Sequence, residues 1–182
     1  MLTSLLLSFS FFSAAALADD AGADLPDGDV VSTLQVTAAP SVVEQTLLDL
    51  EAHAELWPEG CVTRWDFGGK TTGVGASALM TYSPGFGWNR RLAAVIANHN
   101  HQRISIDHPG RKGFVTTFDV HTDGRYTSVE MHTWIQPPPR PVQGYYLNRL
   151  QPKWQACQDG FLTNLAAKTA QSPANQAISS TR

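Results

Sequence analysis

Charged residues are scarce in this chain. Asp, Glu, Lys and Arg make up 16% of its 182 residues, and the net charge is −3; roughly a quarter is typical of soluble domains. No basic run is longer than two residues, as at Arg90 with Arg91 and at Arg111 with Lys112. Because nucleic-acid binding requires Lys and Arg to neutralise phosphates, we predict no nucleic-acid partner.

Motifs of catalysis and cofactor binding are also missing. Gly-x-Ser-x-Gly is absent, and the 73–75 segment does not extend into a phosphate-binding loop. Zinc requires three or four converging ligands, whereas five of the six histidines fall in predicted turns or on outward strand faces: His99, His101, His108, His121 and His132. The sixth, His53, has no visible partner. We predict no metal and no cofactor.

The one long apolar run is at the N-terminus. Residues 1–18 are uncharged and too short to span a bilayer with anything following. Ala16-Leu17-Ala18 is a small-x-small cleavage pattern, which predicts a signal peptide cut after Ala18 and a periplasmic or secreted protein. The lack of Lys and Arg before the run leaves an uncleaved anchor as the alternative. Residues 19–28 are polar and predict a tether.

Cysteine occurs only twice, at Cys61 and Cys157. In an oxidising compartment the two thiols can form a disulfide. Two separate buried thiols, each acting as a small hydrophobe, are the alternative.

The rest of the chain alternates between strand and helix patterns. Residues 29–38 alternate as a half-buried strand; a helix opening at Pro40 and a second short helix or turn at 50–59 follow. Strands are predicted at 62–68, 75–83, 87–97, 102–108, 113–121 and 126–136, separated by turn residues at hairpin lengths. Such short connections favour an antiparallel meander.

The last ordered element is a long amphipathic helix at 145–168. One apolar stripe runs along it: Leu147, Leu150, Trp154, Cys157, Phe161 and Leu165. The predicted opposite face carries Lys153, Gln158, Asp159 and Asn164. Pro152 either kinks this helix or begins its main segment. Residues 169–182 are predicted to be a disordered tail. A curved sheet around this helix leaves a gap, so we predict an internal cavity.

The opening of the chain resembles a known group. It has a strand, then Ala39-Pro40, then a helix that ends in 48–50, and then Trp57-Pro58 at the start of the next loop. This order is similar to that of START-related, Bet v 1-like (SRPBCC) proteins, in particular the polyketide cyclase/dehydratase and lipid-transport group. The resemblance covers residues 29–168. It implies an α+β helix-grip fold: a seven-stranded antiparallel curved sheet around a long C-terminal helix, with two short helices between strands 1 and 2.

Strand alternation and the helical stripe define an inward set of side chains. We predict that it lines a ligand pocket, with an ordinary filled core as the alternative: Trp65, Phe67, Met80, Tyr82, Arg90, Leu92, Phe118, Met131, Trp154 and Phe161. The small side chains of Ala76, Ala78 and Ala94, with Gly160 inside the helix, favour a void.

Two features of this set leave alternatives open. Arg90 either anchors a polar group of the ligand, with Asp66 or Glu130 as its partner, or extends to solvent. The 83–88 loop carries Phe86 and Trp88 and is either a lid or membrane-contacting tip, or a hairpin folded back on the sheet.

Three functions follow as hypotheses. The preferred one is an exported protein that binds a hydrophobic small molecule or lipid without chemistry. The second, implied only by the resemblance, is a polyketide cyclase/dehydratase-like enzyme that uses Arg90 or Tyr82. The third is an envelope interaction module with a filled core. A structure with no cavity larger than a few waters would favour it and count against the first two. The oligomeric state is not predicted.

Overall fold

The computed structural model describes residues 29–83, 90–100, 102–109, 114–135 and 144–171. The predicted signal peptide, the tether and most of the predicted tail lie outside these residues and stay predictions. Within the described segments, no helix has both the length and the apolar character needed to cross a membrane.

A single antiparallel sheet forms most of the domain. Its strands are β1 (Asp29–Val36), β2 (Val62–Phe67), β3 (Ser77–Tyr82), β4 (Arg90–Asn100), β5 (Arg103–Asp107), β6 (Phe114–Asp123) and β7 (Tyr126–Ile135). They lie in the order β1-β7-β6-β5-β4-β3-β2, so β1 and β2 form the two edges. Register shifts in β2, between Val62 and Arg64, and in β4, between Ile96 and Asn98, add to the bending of the sheet. The β4 strand includes Asn98 and His99, which the sequence predicted as a turn.

Two short helices connect β1 to β2. α1 (Pro40–Leu47) begins at its proline, as predicted, because the fixed φ of proline suits the first helical turn. α2 (Leu50–Leu56) is capped by Asp49, whose Oδ1 accepts a hydrogen bond from the backbone N–H of Glu51 at 2.9 Å.

The C-terminal helix follows a π-helical turn (Tyr146–Leu150). α3 (Gln151–Ala170) carries Pro152 in its first turn, so the proline begins the main segment and does not kink it. The helix continues two residues past the predicted boundary at 168, and Thr169 is buried.

One face of α3 packs on the sheet. Trp154, Cys157, Phe161 and Leu165 of the predicted stripe are buried and Leu150 is half-buried, while the side chain of Leu147 lies outside the described part. Gln158 corrects the prediction of an outward polar face, because its side chain is fully buried. Its amide nitrogen donates to Thr133 Oγ1, which gives the buried group a partner. Ser32 Oγ lies 3.4 Å from Gln158 Oε1, but it donates its proton to Asp159 Oδ1 at 2.7 Å.

Glutamines of α3 also cover the edge of the sheet at β1. Gln151 Nε2 donates to the backbone carbonyl of Asp29 at 2.8 Å, and Gln155 Nε2 donates to that of Val31 at 2.9 Å. Four residues of helix and two of strand advance about the same 6–7 Å, so successive amides meet successive outward carbonyls. These contacts fix α3 along β1. The predicted helix-grip architecture is confirmed.

Candidate functional site

The space between α3, the end of α2 and the inner face of the sheet is small. It measures about 20 Å³. Its walls come from α2 and the turn after it, from six strands and from α3: His53, Trp57, Trp65, Met80, Ala94, Ile106, His108, Thr116, Phe118, Met131 and Trp154. Roughly 10–15 Å³ is needed to hold one water, so the space admits about one. The prediction of an unfilled cavity is wrong for this form of the protein.

Aromatic rings occupy most of the space in which the sequence predicted a ligand cavity. Tyr82 and Trp154 stack with ring centroids 3.8 Å apart and planes within 12°. Trp57 meets Trp154 edge-on at 6.5 Å, and it is tilted against Phe161, with ring centroids 5.1 Å apart. Aromatic rings packed in this way bury large apolar surfaces. The closed interior is therefore a packed aromatic cluster with a narrow remaining gap.

Five of the ten predicted pocket residues line this gap: Trp65, Met80, Phe118, Met131 and Trp154. Three more are buried next to it. Tyr82 contacts it through the Trp154 stack, Phe161 packs on Phe118 at 5.7 Å, and Leu92 is buried on the same sheet face. Strand alternation thus placed six of these residues inward correctly, and the helical stripe did so for Trp154 and Phe161.

The other two predicted residues are not among the described residues that line the gap. Phe67 shares the inner face, but it is 39% exposed and stacks on Trp65 at 5.8 Å on the edge strand β2. It therefore does not form part of the wall in this structure. The side chain of Arg90 lies outside the described part, so its predicted role stays a prediction. Asp66, one of its two predicted partners, binds Arg91 and Arg64, each at 2.8 Å.

Sequence reasoning missed two buried histidines at the site. His53 on α2 is 2% exposed, and His108, directly after β5, is 5% exposed. Ile104 and Ile106 precede His108 at strand spacing and are buried, so the alternation of β5 could have placed His108 inward. The interpretation of His108 as a surface turn residue is wrong. Trp57, the C-cap of α2, was also missed as a wall residue.

Both histidines are held neutral. His53 Nε2 lies 2.9 Å from the carbonyl oxygen of Leu47 and His108 Nδ1 lies 2.8 Å from that of Ala93, so each of these nitrogens carries the proton and donates. Burial lowers the pKa of each imidazole to about 4, outweighing these hydrogen bonds, which favour the charged form. At neutral pH both histidine rings among the described lining residues are therefore uncharged.

The turn between α2 and β2 is fastened to α3 beside the site. Cys61 and Cys157 form a disulfide. One helical turn further on, a Cβ added at Gly160 would lie 2.3 Å from Pro58 Cγ. The glycine was predicted to indicate a close approach or a void, and its partner is this proline.

Two other sequence predictions concern a metal site and the 83–88 loop. In the described segments, no group of three or more His, Cys, Asp and Glu side chains comes together as a metal site would require. The 83–88 loop lies outside the described residues except for Ser83.

The fold has close counterparts among solved structures. The chain matches the KanY protein with a TM-score of 0.70 and 18% identity, and the match covers 80% of this chain and 99% of KanY. The chain has the helix-grip fold of START-related, Bet v 1-like proteins. A START superfamily protein from Mycobacterium smegmatis matches with a TM-score of 0.57 and 13% identity over 79% of this chain and 98% of that one.

A third counterpart of the helix-grip domain is the Zhui aromatase/cyclase from Streptomyces sp. R1128. It matches with a TM-score of 0.61 and 13% identity, over 80% of this chain and 96% of the enzyme. No family model matches the sequence, and no curated protein matches it either. At these identities the likeness shows the fold, and that fold is the one that the resemblance in the sequence implied.

Proposed function

We propose that this protein binds an apolar, uncharged small molecule or lipid between its sheet and α3. The observation that carries the proposal is the chemistry of the walls. Aromatic rings, methionines and aliphatic side chains dominate, and the two titratable groups among the described lining residues, His53 and His108, are neutral. Such a surface favours contact with uncharged apolar matter.

Binding requires the walls to separate, because the closed form admits about one water. The aromatic cluster supports such a change: planar rings that stack on each other can stack on a ring-containing guest in the same way. A ligand then replaces contacts that the closed form makes internally. Its affinity is the difference between the two sets of contacts, so only a ligand that fits well will bind tightly.

A neutral fluorescent dye, 1-N-phenylnaphthylamine, tests this directly. Ala94 lies on the cavity wall, whereas Ala97 of the same strand is exposed. We expect the parent protein to bind the dye, Ala94→Leu to bind it roughly tenfold more weakly, and Ala97→Leu to bind it like the parent. A folded parent that leaves the dye free in solution contradicts the proposal. Equal loss in both variants places the dye elsewhere.

Native mass spectrometry of freshly purified protein, followed by solvent extraction, complements the dye. An apolar compound that remains on the protein would identify the ligand class. Protein that is repeatedly empty and does not bind the dye would count against a carrier role.

An interaction module with a filled core is the second candidate. The observation in its favour is the gap of about 20 Å³. Phe67 and Leu79, each 39% exposed, lie near the open edge of β2, where another chain could pair. The cyclase alternative has the shared fold as its support, since the side chain of Arg90, on which it depended, is not described. Dye binding that Ala94→Leu abolishes would exclude the filled-core module.

Export is part of the proposal. The disulfide between Cys61 and Cys157 supports it, because disulfides persist in oxidising compartments. The intact mass of the mature protein tests it: cleavage after Ala18 leaves a chain that begins at Asp19. A mass that includes residues 1–18 would instead favour the uncleaved anchor.

A further inference from the structure

One polar group on the cavity wall has no acceptor. Trp65 lies in the middle of β2, opposite Met80 of β3, and its ring forms part of the wall. Its indole Nε1 is shielded from solvent, and it has no hydrogen-bond partner among the described residues. The N–H bonds to water when the chain is unfolded, so burying it unpaired costs stability. Such a group in a folded protein needs an explanation, and ligand recognition is one.

The neighbouring polar groups of the wall are already engaged with the protein. His53 donates to Leu47 and His108 donates to Ala93 through backbone carbonyls. Thr116 Oγ1 lies 3.1 Å from Thr133 Oγ1, a hydrogen bond between hydroxyls. Trp65 Nε1 differs from these groups because its hydrogen is not used. The Trp65 ring is held on the wall by its strand, which pairs with β3.

We propose that Trp65 Nε1–H is the ligand-recognising donor of the site, and that the ligand is an uncharged ring compound with a carbonyl or ether oxygen that accepts this hydrogen bond. This inference rests on the proposed function and narrows it. A charged ligand would find no charged partner among the described wall residues. A pure hydrocarbon would leave the N–H unpaired and gain only apolar contact.

The rings around Trp65 account for the second part of this ligand class. Trp57, Phe118 and Trp154 line the same space, and their faces and edges suit offset or edge-on contact with a planar guest. A ligand ring among them would bring an oxygen substituent toward β2. The donor sets the orientation and the rings supply contact area, as in pockets where few polar groups give specificity.

A pair of matched probes tests the donor. 2-Acetylnaphthalene carries a carbonyl, and 2-isopropenylnaphthalene has the same shape with a CH₂ group in place of the oxygen. Trp65→Phe keeps an aromatic ring and removes the N–H. We expect this variant to bind the ketone roughly tenfold more weakly than the parent does, which corresponds to one hydrogen bond, and to bind the alkene with little change.

The control replaces the residue that faces Trp65 across the strand pair. Met80→Leu keeps an apolar side chain of similar volume and should change both probes by the same factor. The carbonyl stretching band of the bound ketone gives a second readout, independent of affinity. It should lie at lower wavenumber in the parent than in Trp65→Phe.

Two results would overturn the inference, and they differ in whether the proposed binding function also fails. If both probes bind the parent but Trp65→Phe weakens them equally and leaves the carbonyl band in place, the donor role is wrong and the binding function stands. If neither probe binds the folded parent, the proposed function fails, and the assignment of Trp65 fails with it.

Discussion

Replacing Gly160 by alanine tests how tightly α3 meets the turn before β2. In an ordinary helix this change stabilises by about 1 kcal/mol, because glycine is the poorer helix former. Here the added Cβ would lie 2.3 Å from Cγ of Pro58, with Pro58 Cβ and Cδ both at 3.5 Å. Ordinary carbon contacts are about 3.5–4.0 Å, so the helix and the turn must separate by more than 1 Å at this point.

Separating α3 from this turn would disrupt the packing between them. Trp57, next to the proline, packs on Trp154 and Phe161, and the disulfide from Cys61 limits how far the turn can retreat. Overpacking of this kind costs about 1–3 kcal/mol. After the helix-propensity gain, we expect Gly160→Ala to lower the free energy of unfolding by about 1–2 kcal/mol. Urea denaturation followed by tryptophan fluorescence measures it.

A second substitution isolates the cause. Pro58→Ala removes Cγ and Cδ and keeps only Cβ, at a distance of 3.5 Å from the new methyl group. In that background Gly160→Ala should be neutral or stabilising by up to about 1 kcal/mol. If Gly160→Ala stabilises the parent protein, or if its cost is the same in both backgrounds, the proline contact does not explain the glycine.

Two further predictions concern the buried histidines and the disulfide. Because burial lowers the pKa of His53 and His108 from 6.5 to about 4, the unfolded chain binds protons more readily between these values, and stability falls as the pH drops. From pH 7 to pH 5, the free energy of unfolding should fall by about 2 kcal/mol for each histidine. His53→Gln and His108→Asn should each make this free energy, measured by urea denaturation, depend less on pH. A pH dependence that neither variant changes contradicts the low pKa of these residues. Reducing the Cys61–Cys157 disulfide, which joins positions 96 apart, should lower the free energy of unfolding by about 4 kcal/mol by releasing the unfolded chain. The alanine double variant should match the reduced parent, and equal midpoints with and without reductant would refute the effect.

Local patterns were sufficient to predict the elements and their buried faces. Alternation places Met80, Phe118 and Met131 on one face of the sheet, and helical spacing places Trp154 and Phe161 on the face that packs against it. Burial of one face fixes strand register, since a slip of one residue would turn every side chain over. The resemblance to START-related proteins implied the helix-grip arrangement of these elements, with seven strands around the last helix.

The interior could not be predicted in the same way. Whether Tyr82 and Trp154 enclose a void or stack on each other depends on ångström-scale packing between elements far apart in the sequence. The position of Gln158 was predicted wrongly because its polarity indicates an outward face, whereas Thr133 supplies an acceptor for its amide inside. Gly160 could be recognised from the sequence as an unusual residue inside a helix. Its contact with Pro58 could not be predicted, because the proline lies about a hundred positions earlier.

The wall that yields to a ligand can be inferred from how each wall is held. α3 is fixed along β1 by the amides of Gln151 and Gln155 and by the burial of its apolar stripe. The central strands are hydrogen-bonded on both sides. Among the described strands, β2 is hydrogen-bonded to β3 alone and has an irregular register at its start, although the disulfide at Cys61 restrains that start. Displacing the rest of β2 therefore breaks few of the described strand hydrogen bonds. Trp65 lies on this strand. If a ligand binds as proposed, its acceptor would meet the indole N–H on the edge strand that can move with the least loss of pairing.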